Sequence, residues 1–199
     1  MKRIEVQLTD ENIHGLFAVS LVDAPAIESG WVALRDQRDT TAPILMAGEA
    51  SKQTITGAIL IPNKPIYRVS PTGEEFEIVF TGAVIEQLRD KFMFEKRTDH
   101  VTEMHEIGVN GVYMVEMWMV ADSENDKAAA LGLSVPPGTL MCTMKVNNPD
   151  VWEKMKSGDY TGFSIEAYLD MEKLALSQQD DPELKILLEV LGLVDGLLS

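Results

Sequence analysis

Ser164 and His105 are the residues of this sequence whose types could support nucleophilic catalysis. Ser164 follows Gly162-Phe163 at the start of a segment in which apolar and polar residues alternate, a pattern that predicts a strand. A serine hydroxyl becomes an effective nucleophile near neutral pH only when a neighbouring base removes its proton. The segment around Ser164 contains no histidine, so His105 would have to reach it from elsewhere in the fold. The alternative is an ordinary serine near the start of a strand.

Glu116 is the candidate for the carboxylate that orients His105. Asn110-Gly111 lies between two alternating apolar segments, a pattern typical of a two-residue hairpin, because Asn and Gly accept positive φ. In that register His105 lies directly opposite Glu116, with the two Cβ atoms about 4.5–5.5 Å apart. A carboxylate there would hold one imidazole N–H and stabilise the imidazolium that forms when the ring takes a serine proton. The alternative is a solvated cross-strand pair with no chemical role.

An ordered series of segments resembles the phage prohead (capsid maturation) proteases, in particular the prophage-type serine protease group. The resemblance extends over roughly residues 13–170 and depends on the order and spacing of the segments, because no single segment is diagnostic. The segments are 17–28, 57–68, 104–120, 125–128, 132–133, 136–139, 145–146, 151–152 and 162–166.

The resemblance implies a serine protease fold like that of herpesvirus assemblin. It implies Ser164 as the nucleophile, because this serine matches the Gly-Phe-Ser motif of the family. It implies His105 as the general base, because this histidine precedes a Gly-Val pair and a Glu-x-Trp strand as the family histidine does.

The resemblance identifies the third catalytic residue less directly, because related enzymes use either a histidine or an acidic residue in that role. Related prohead proteases carry a glutamate before a Val-Ser-Leu-Val strand that comes after the serine. Here a similar strand, 19–22, lies near the N-terminus, and Ala18 occupies the position of that glutamate. This departure leaves Glu116 as the predicted third residue, with Asp23 and His14 as lesser candidates.

The activity that the resemblance implies is that of an endopeptidase acting during prohead maturation. Its substrates and partners would be the phage scaffold and major capsid proteins, with the protease itself as a further substrate, and it could form a homo-oligomer. It would act in the host cytoplasm inside the assembling prohead, without being secreted and without a cofactor. The alternative is a non-enzymatic capsid-assembly or scaffold module that retains the protease fold.

Composition narrows the function classes. The formal net charge of −15 argues against binding to nucleic acid and to anionic membrane surfaces. The single cysteine, Cys142, lies in a predicted strand and is expected to be a buried thiol. His100, His105 and Cys142 lack the paired spacing of zinc sites, so no metal is expected. The sequence shows neither a signal-peptide core nor an apolar segment of membrane-spanning length.

The fold class predicted from the pattern of elements is α+β, with a sheet-dominated, mixed, barrel-like domain and a few flanking helices. Strands are predicted at 13–22, 31–34, 54–61, 66–69, 75–80, 139–146 and from 162, and helices at 81–95, 123–131 and 148–156. Residues 35–53 are predicted to form a loop. Residues 1–176 would form the protease domain, and 177–199 a polar break followed by an amphipathic helix over 182–198.

Overall fold

The structure, a computed structural model, describes residues 2–8, 15–23, 46–49, 52–69, 73 and 75–168. The strands of this part are β1 (Lys2–Glu5), β2 (Gly15–Val22), β3 (Met46–Glu49), β4 (Thr54–Leu60), β5 (Ile66–Val69), β6 (Glu75–Val79), β7 (Val101–Glu103), β8 (Ile107–Gly108), β9 (Val112–Met119), β10 (Leu140–Val146) and β11 (Gly162–Tyr168). The helices are α1 (Gly82–Phe94), α2 (Lys127–Ala130) and α3 (Pro149–Ser157).

The strands form three sheets, with the orders β1-β6-β5, β3-β4-β10-β9 and β11-β2-β7-β8. Pairing is parallel between β1 and β6 and between β2 and β7, and antiparallel in the other pairs. The predicted α+β class with a mixed sheet content is therefore confirmed. Each sheet is open, with an edge strand at either side, so the described strands do not close into the expected barrel.

The sheets and the three helices share one apolar core. Buried side chains from Ile4 in β1 to Ile165 in β11 belong to a single cluster. Helix α1 contributes its predicted apolar stripe, which is buried at Val84, Ile85, Leu88 and Phe92. Thr81 caps α1 as predicted, because its side chain accepts a hydrogen bond from the backbone N–H of Val84.

Helix α3 leads directly into the strand that carries Ser164, and its ends are defined by local sequence. Asn148 caps the helix by accepting from the N–H groups of Asp150 and Val151. Gly158 ends it in the left-handed conformation, with φ 84°, as the sequence predicts. The chain then passes through 159–161 and enters β11 at Gly162. These local signals fix where the strand of Ser164 begins.

Three strands were not predicted, and one predicted helix is shorter than expected. Residues 2–5 form β1 because they pair with β6, and 101–103 form β7 because they pair with β2. Residues 46–49 form β3, inside the predicted loop, because they pair with β4. The helix predicted over 123–131 is limited to Lys127–Ala130, because Asp122 accepts from the N–H groups of Glu124 and Asn125 and holds that segment in a turn.

Some predictions fall outside the residues that the structure describes. These are the strand at 31–34, the polar break at 177–181, the helix at 182–198 and the boundary at 176. Within the described ranges, no helix has the length and apolar character needed to cross a membrane.

Candidate active site

His105 lies in a tight turn that differs from the predicted hairpin. Strands β7 and β8 pair antiparallel, with Thr102 opposite Gly108 and Glu103 opposite Ile107, so the turn spans 104–106. The predicted hairpin around Asn110-Gly111 is wrong, because β9 pairs with β10 and not with the segment before it.

The chain does turn at Asn110-Gly111, but this turn is hydrogen-bonded to the segment that follows β10. Gly111 has φ 79°, as a tight turn requires, whereas Asn110 does not adopt positive φ. The Gly111 carbonyl accepts from the N–H of Asn147 at 2.7 Å, and the Asn110 carbonyl accepts from the side chain of Asn148 at 3.1 Å. These bonds attach the turn to the end of β10. Strand β9 therefore gains a seven-residue partner in β10, which the two-residue β8 could not provide.

Glu116 consequently lies in a different environment from the predicted one. It pairs with Thr143 of β10, and its carboxylate binds the ammonium of Lys127 and accepts from the Thr143 hydroxyl. The Lys127 ammonium also lies 5.0 Å from the ring centroid of Trp118, whose indole N–H donates to Asp126. The predicted register of Glu116 opposite His105 is therefore wrong, and Glu116 helps to hold α2 against β9.

Ser164 lies on β11 in a row of three hydroxyl residues. It pairs with Ser20 on β2, and Ser20 pairs with Thr102 on β7, so the three side chains share one face of the sheet. Ser164 is only 5% exposed. Within the part of the chain that the structure describes, its hydroxyl makes no hydrogen bond, so none joins it to His105.

Glu166 is the carboxylate that the structure brings to His105. It lies two residues after Ser164 on β11 and therefore on the same face. Its Oε1 atom is 3.5 Å from Nδ1 of His105, with the two side chains 20% and 41% exposed. The same oxygen accepts a hydrogen bond from the hydroxyl of Thr102. Sequence reasoning missed Glu166, although the Ser-x-Glu spacing on a strand is a signal that could have indicated it.

The backbone of the turn places the His105 ring over this face. Met104 and His105 both adopt positive φ, 50° and 62°, which is costly for side chains other than glycine. The turn is held by three backbone donors. Met104 N–H binds the carbonyl of Leu21 at 3.0 Å, Glu106 N–H binds that of Glu103 at 2.9 Å, and His105 N–H binds the hydroxyl of Ser20 at 2.9 Å.

The other candidate residues lie elsewhere. Asp23 follows the end of β2 with an exposed side chain, and its carbonyl accepts from the hydroxyl of Thr161. No hydrogen bond or ion pair joins Asp23 to His105 in the described structure. His14 lies outside the described residues. Cys142 is fully buried in β10, so the prediction of a buried thiol is confirmed, and burial raises the pKa of that thiol well above the ordinary range.

The structure thus brings the imidazole of His105 to the carboxylate of Glu166, and Ser164 lies on the same face of β11 two residues earlier. The carboxylate lies on the Nδ1 side of the imidazole, which leaves Nε2 to exchange a proton with a nucleophile. The imidazole is the more exposed of the ionisable groups, so a substrate can approach along it. This set of groups has the chemical types required for acyl transfer.

Comparison with known proteins gave one family. The model of the family described as "Putative phage serine protease XkdF" matches residues 41–172, more than half of the chain. The matched region contains His105, Ser164 and Glu166, whereas β2, with Ser20, lies before it. No curated protein and no solved structure matches. The resemblance to a phage serine protease family is therefore confirmed.

Proposed function

Because this chain belongs to the XkdF-type family of phage serine proteases, we propose that it is a serine endopeptidase that processes capsid and scaffold proteins, and itself, during prohead maturation. The observation that supports the assignment of residues is that Glu166, two residues after Ser164 on the same face of β11, lies 3.5 Å from Nδ1 of His105. The family supports proteolysis.

In the proposed reaction Ser164 Oγ attacks the scissile carbonyl carbon, and its proton passes to Nε2 of His105. Glu166 holds the Nδ1–H of the ring and stabilises the imidazolium. The tetrahedral intermediate then collapses, the C–N bond breaks, and the imidazolium gives its proton to the leaving amine. A water molecule, deprotonated by His105, hydrolyses the acyl-enzyme and restores Ser164.

The position of Glu166 supports its assignment as the third residue in place of Glu116. Glu166 lies directly opposite Ala18 in the pairing of β11 with β2. Ala18 is the position where related prohead proteases, by resemblance, carry a glutamate. A carboxylate on the neighbouring strand at this register can reach the same space, because opposed Cβ atoms are about 5 Å apart. The distance of 3.5 Å to His105 is longer than a good hydrogen bond, as is common before substrate binds.

We infer a protease domain spanning residues 1–176 with a fold like that of the herpesvirus proteases, acting inside the assembling prohead in the host cytoplasm. The mixture of parallel and antiparallel strands around one core is compatible with that fold class. The substrates are the scaffold and major capsid proteins, which are present where such a protease would act.

The proposal is tested by substituting Ser164→Ala and His105→Ala and co-expressing each variant with the phage scaffold protein. Each should reduce cleavage by about 10³-fold or more, because the nucleophile or the base is removed. Ser157→Ala is the matched control, because its hydroxyl donates only to the carbonyl of Lys154 at the end of α3.

A serine-reactive phosphonate probe gives an independent readout without a natural substrate. It should label the wild type and the Ser157→Ala control, and should not label Ser164→Ala. Wild-type processing by both Ser164→Ala and His105→Ala would show that the residue assignment is wrong. A wild type that remains unlabelled and cleaves nothing would favour the non-enzymatic capsid-assembly module.

A further inference from the structure

Ser20 is a buried hydroxyl residue beside the candidate nucleophile that the proposed chemistry does not use. It lies on β2, between Ser164 on β11 and Thr102 on β7, and its side chain is completely buried. Its Oγ accepts from the His105 N–H at 2.9 Å and donates to the Thr102 carbonyl at 3.4 Å. The hydroxyl therefore bonds to the backbone on both sides and is completely buried, so its role is not that of a second nucleophile.

The bond to His105 is placed where the backbone most needs support. Two consecutive non-glycine residues in the left-handed region cost of order 1–2 kcal/mol each, and such conformations persist only when their surroundings hold them. Met104 N–H is held by the Leu21 carbonyl, a main-chain group that most substitutions would leave in place. The His105 N–H, in contrast, depends on a side chain. Without the Ser20 hydroxyl this donor would lose the protein acceptor that it has in the described structure.

The strand that carries Ser20 also lies next to the nucleophile. Ser20 is the in-register partner of Ser164, and the same residue binds the backbone of His105. One side chain therefore sets the separation between the strand of the candidate nucleophile and the turn of the candidate base. The Thr102 hydroxyl holds the carboxylate in a similar way, because it donates a hydrogen bond to Glu166.

We propose that Ser20 is a positioning residue of the catalytic centre, whose hydroxyl fixes the backbone of His105 so that the imidazole reaches Glu166 on the strand of Ser164. This inference depends on the proposed function, because it assigns a role within that reaction. It adds a residue from β2, a strand that precedes the region matched by the family model.

The first test is Ser20→Ala, with Ser20→Thr as the variant that keeps the hydroxyl. Ser20→Ala should lower kcat for cleavage of a peptide spanning a scaffold processing site by about 10- to 100-fold, as expected for a misplaced base. KM should change by less than about threefold, because the hydroxyl does not touch substrate. Ser20→Thr should recover most of the lost kcat.

A matched control separates positioning from the general loss of a buried hydroxyl. Thr139→Val removes another fully buried hydroxyl, one that donates to the Pro136 carbonyl at 2.7 Å before β10. This variant should lose stability to a similar degree while kcat stays at the wild-type value. Equal losses of kcat in Ser20→Ala and Thr139→Val would overturn the inference.

A second readout does not depend on turnover. In the Ser164→Ala background, the amide hydrogen of residue 105 should exchange at least about tenfold faster when Ser20 is also alanine, because its acceptor is gone. An unchanged exchange rate would overturn the inference even if Ser20→Thr did not fold.

The two proposals fail in distinguishable ways. If Ser164→Ala and His105→Ala abolish cleavage while Ser20→Ala keeps the wild-type kcat, the role of Ser20 is refuted and the proposed function stands. If the wild type cleaves no peptide and reacts with no serine probe, the proposed function is refuted, and the catalytic role of Ser20 with it.

Discussion

Replacing Glu166 with glutamine tests which carboxylate assists His105. Glutamine keeps the size of the side chain and an oxygen that can still accept from Thr102, so the substitution removes mainly the charge. The charge matters because the imidazole becomes an imidazolium as it takes the serine proton. The expected effect is therefore on kcat, since the carboxylate does not bind the peptide.

The magnitude follows from the separation of the two groups. Unit charges 3.5 Å apart interact by about 1 kcal/mol in water and by about 5 kcal/mol at an effective dielectric constant of about 20. These limits correspond to about sevenfold and about 3,000-fold in rate. Because the side chains of His105 and Glu166 are 41% and 20% exposed, solvent screens the pair. We therefore expect Glu166→Gln to lower kcat by about 10- to 100-fold.

The assay is steady-state cleavage of a peptide that spans a scaffold processing site, with the midpoint of thermal unfolding as a check on folding. Glu116→Gln is the matched control, because it removes the same charge from a carboxylate that binds Lys127 and Thr143. It should retain kcat within about threefold. A large loss of kcat in Glu116→Gln, together with wild-type kcat in Glu166→Gln, would refute the reasoning and restore the sequence-based assignment.

Two further predictions concern stability and reactivity. Burial raises the pKa of Asp126, but hydrogen bonds from Ala128 N–H, Trp118 and Ala121 N–H outweigh burial and hold the pKa below the ordinary range. The ionised carboxylate therefore stabilises the fold fully above about pH 4, and this stabilisation is lost as the pH falls through the lowered pKa. Urea unfolding should therefore show Asp126→Asn less stable than wild type at pH 7, with the difference shrinking towards pH 2; a constant difference would contradict this. Cys142 should not react with iodoacetamide in the folded protein and should react fully in urea, because burial raises the pKa of its thiol; rapid labelling without denaturant would show that β10 opens.

Elements with strong local signals were predicted well. Helix α1 has its cap at Thr81 and a stripe of buried residues with helical spacing, and α3 has its cap at Asn148 and its end at Gly158. In each case the residues that define the element lie within it or next to it. The free energy that selects the conformation is thus largely local, through capping bonds and amphipathic burial.

Strand pairing was predicted less well, and this altered the site. The Asn110-Gly111 turn was identified, but the choice between β8 and β10 as the partner of β9 was not. That choice depends on which strand offers the longer ladder, and β10 is distant in the sequence. Similarly, β1 is a strand because it pairs with β6, and β3 is a strand because it pairs with β4. Because of this error the sequence analysis placed Glu116 beside His105, whereas the structure places Glu166 there.

The sequence by itself determined the residue types available for chemistry, the family, the ends of the main helices and the strand that carries Ser164. Tertiary structure alone decided that β2 lies between β11 and β7, and thus that Ser20 and Glu166 accompany His105. The physical reason is that a strand satisfies its backbone hydrogen bonds only with a partner. The identity of that partner is a property of the whole chain, because it depends on which pairing buries the most apolar surface at once.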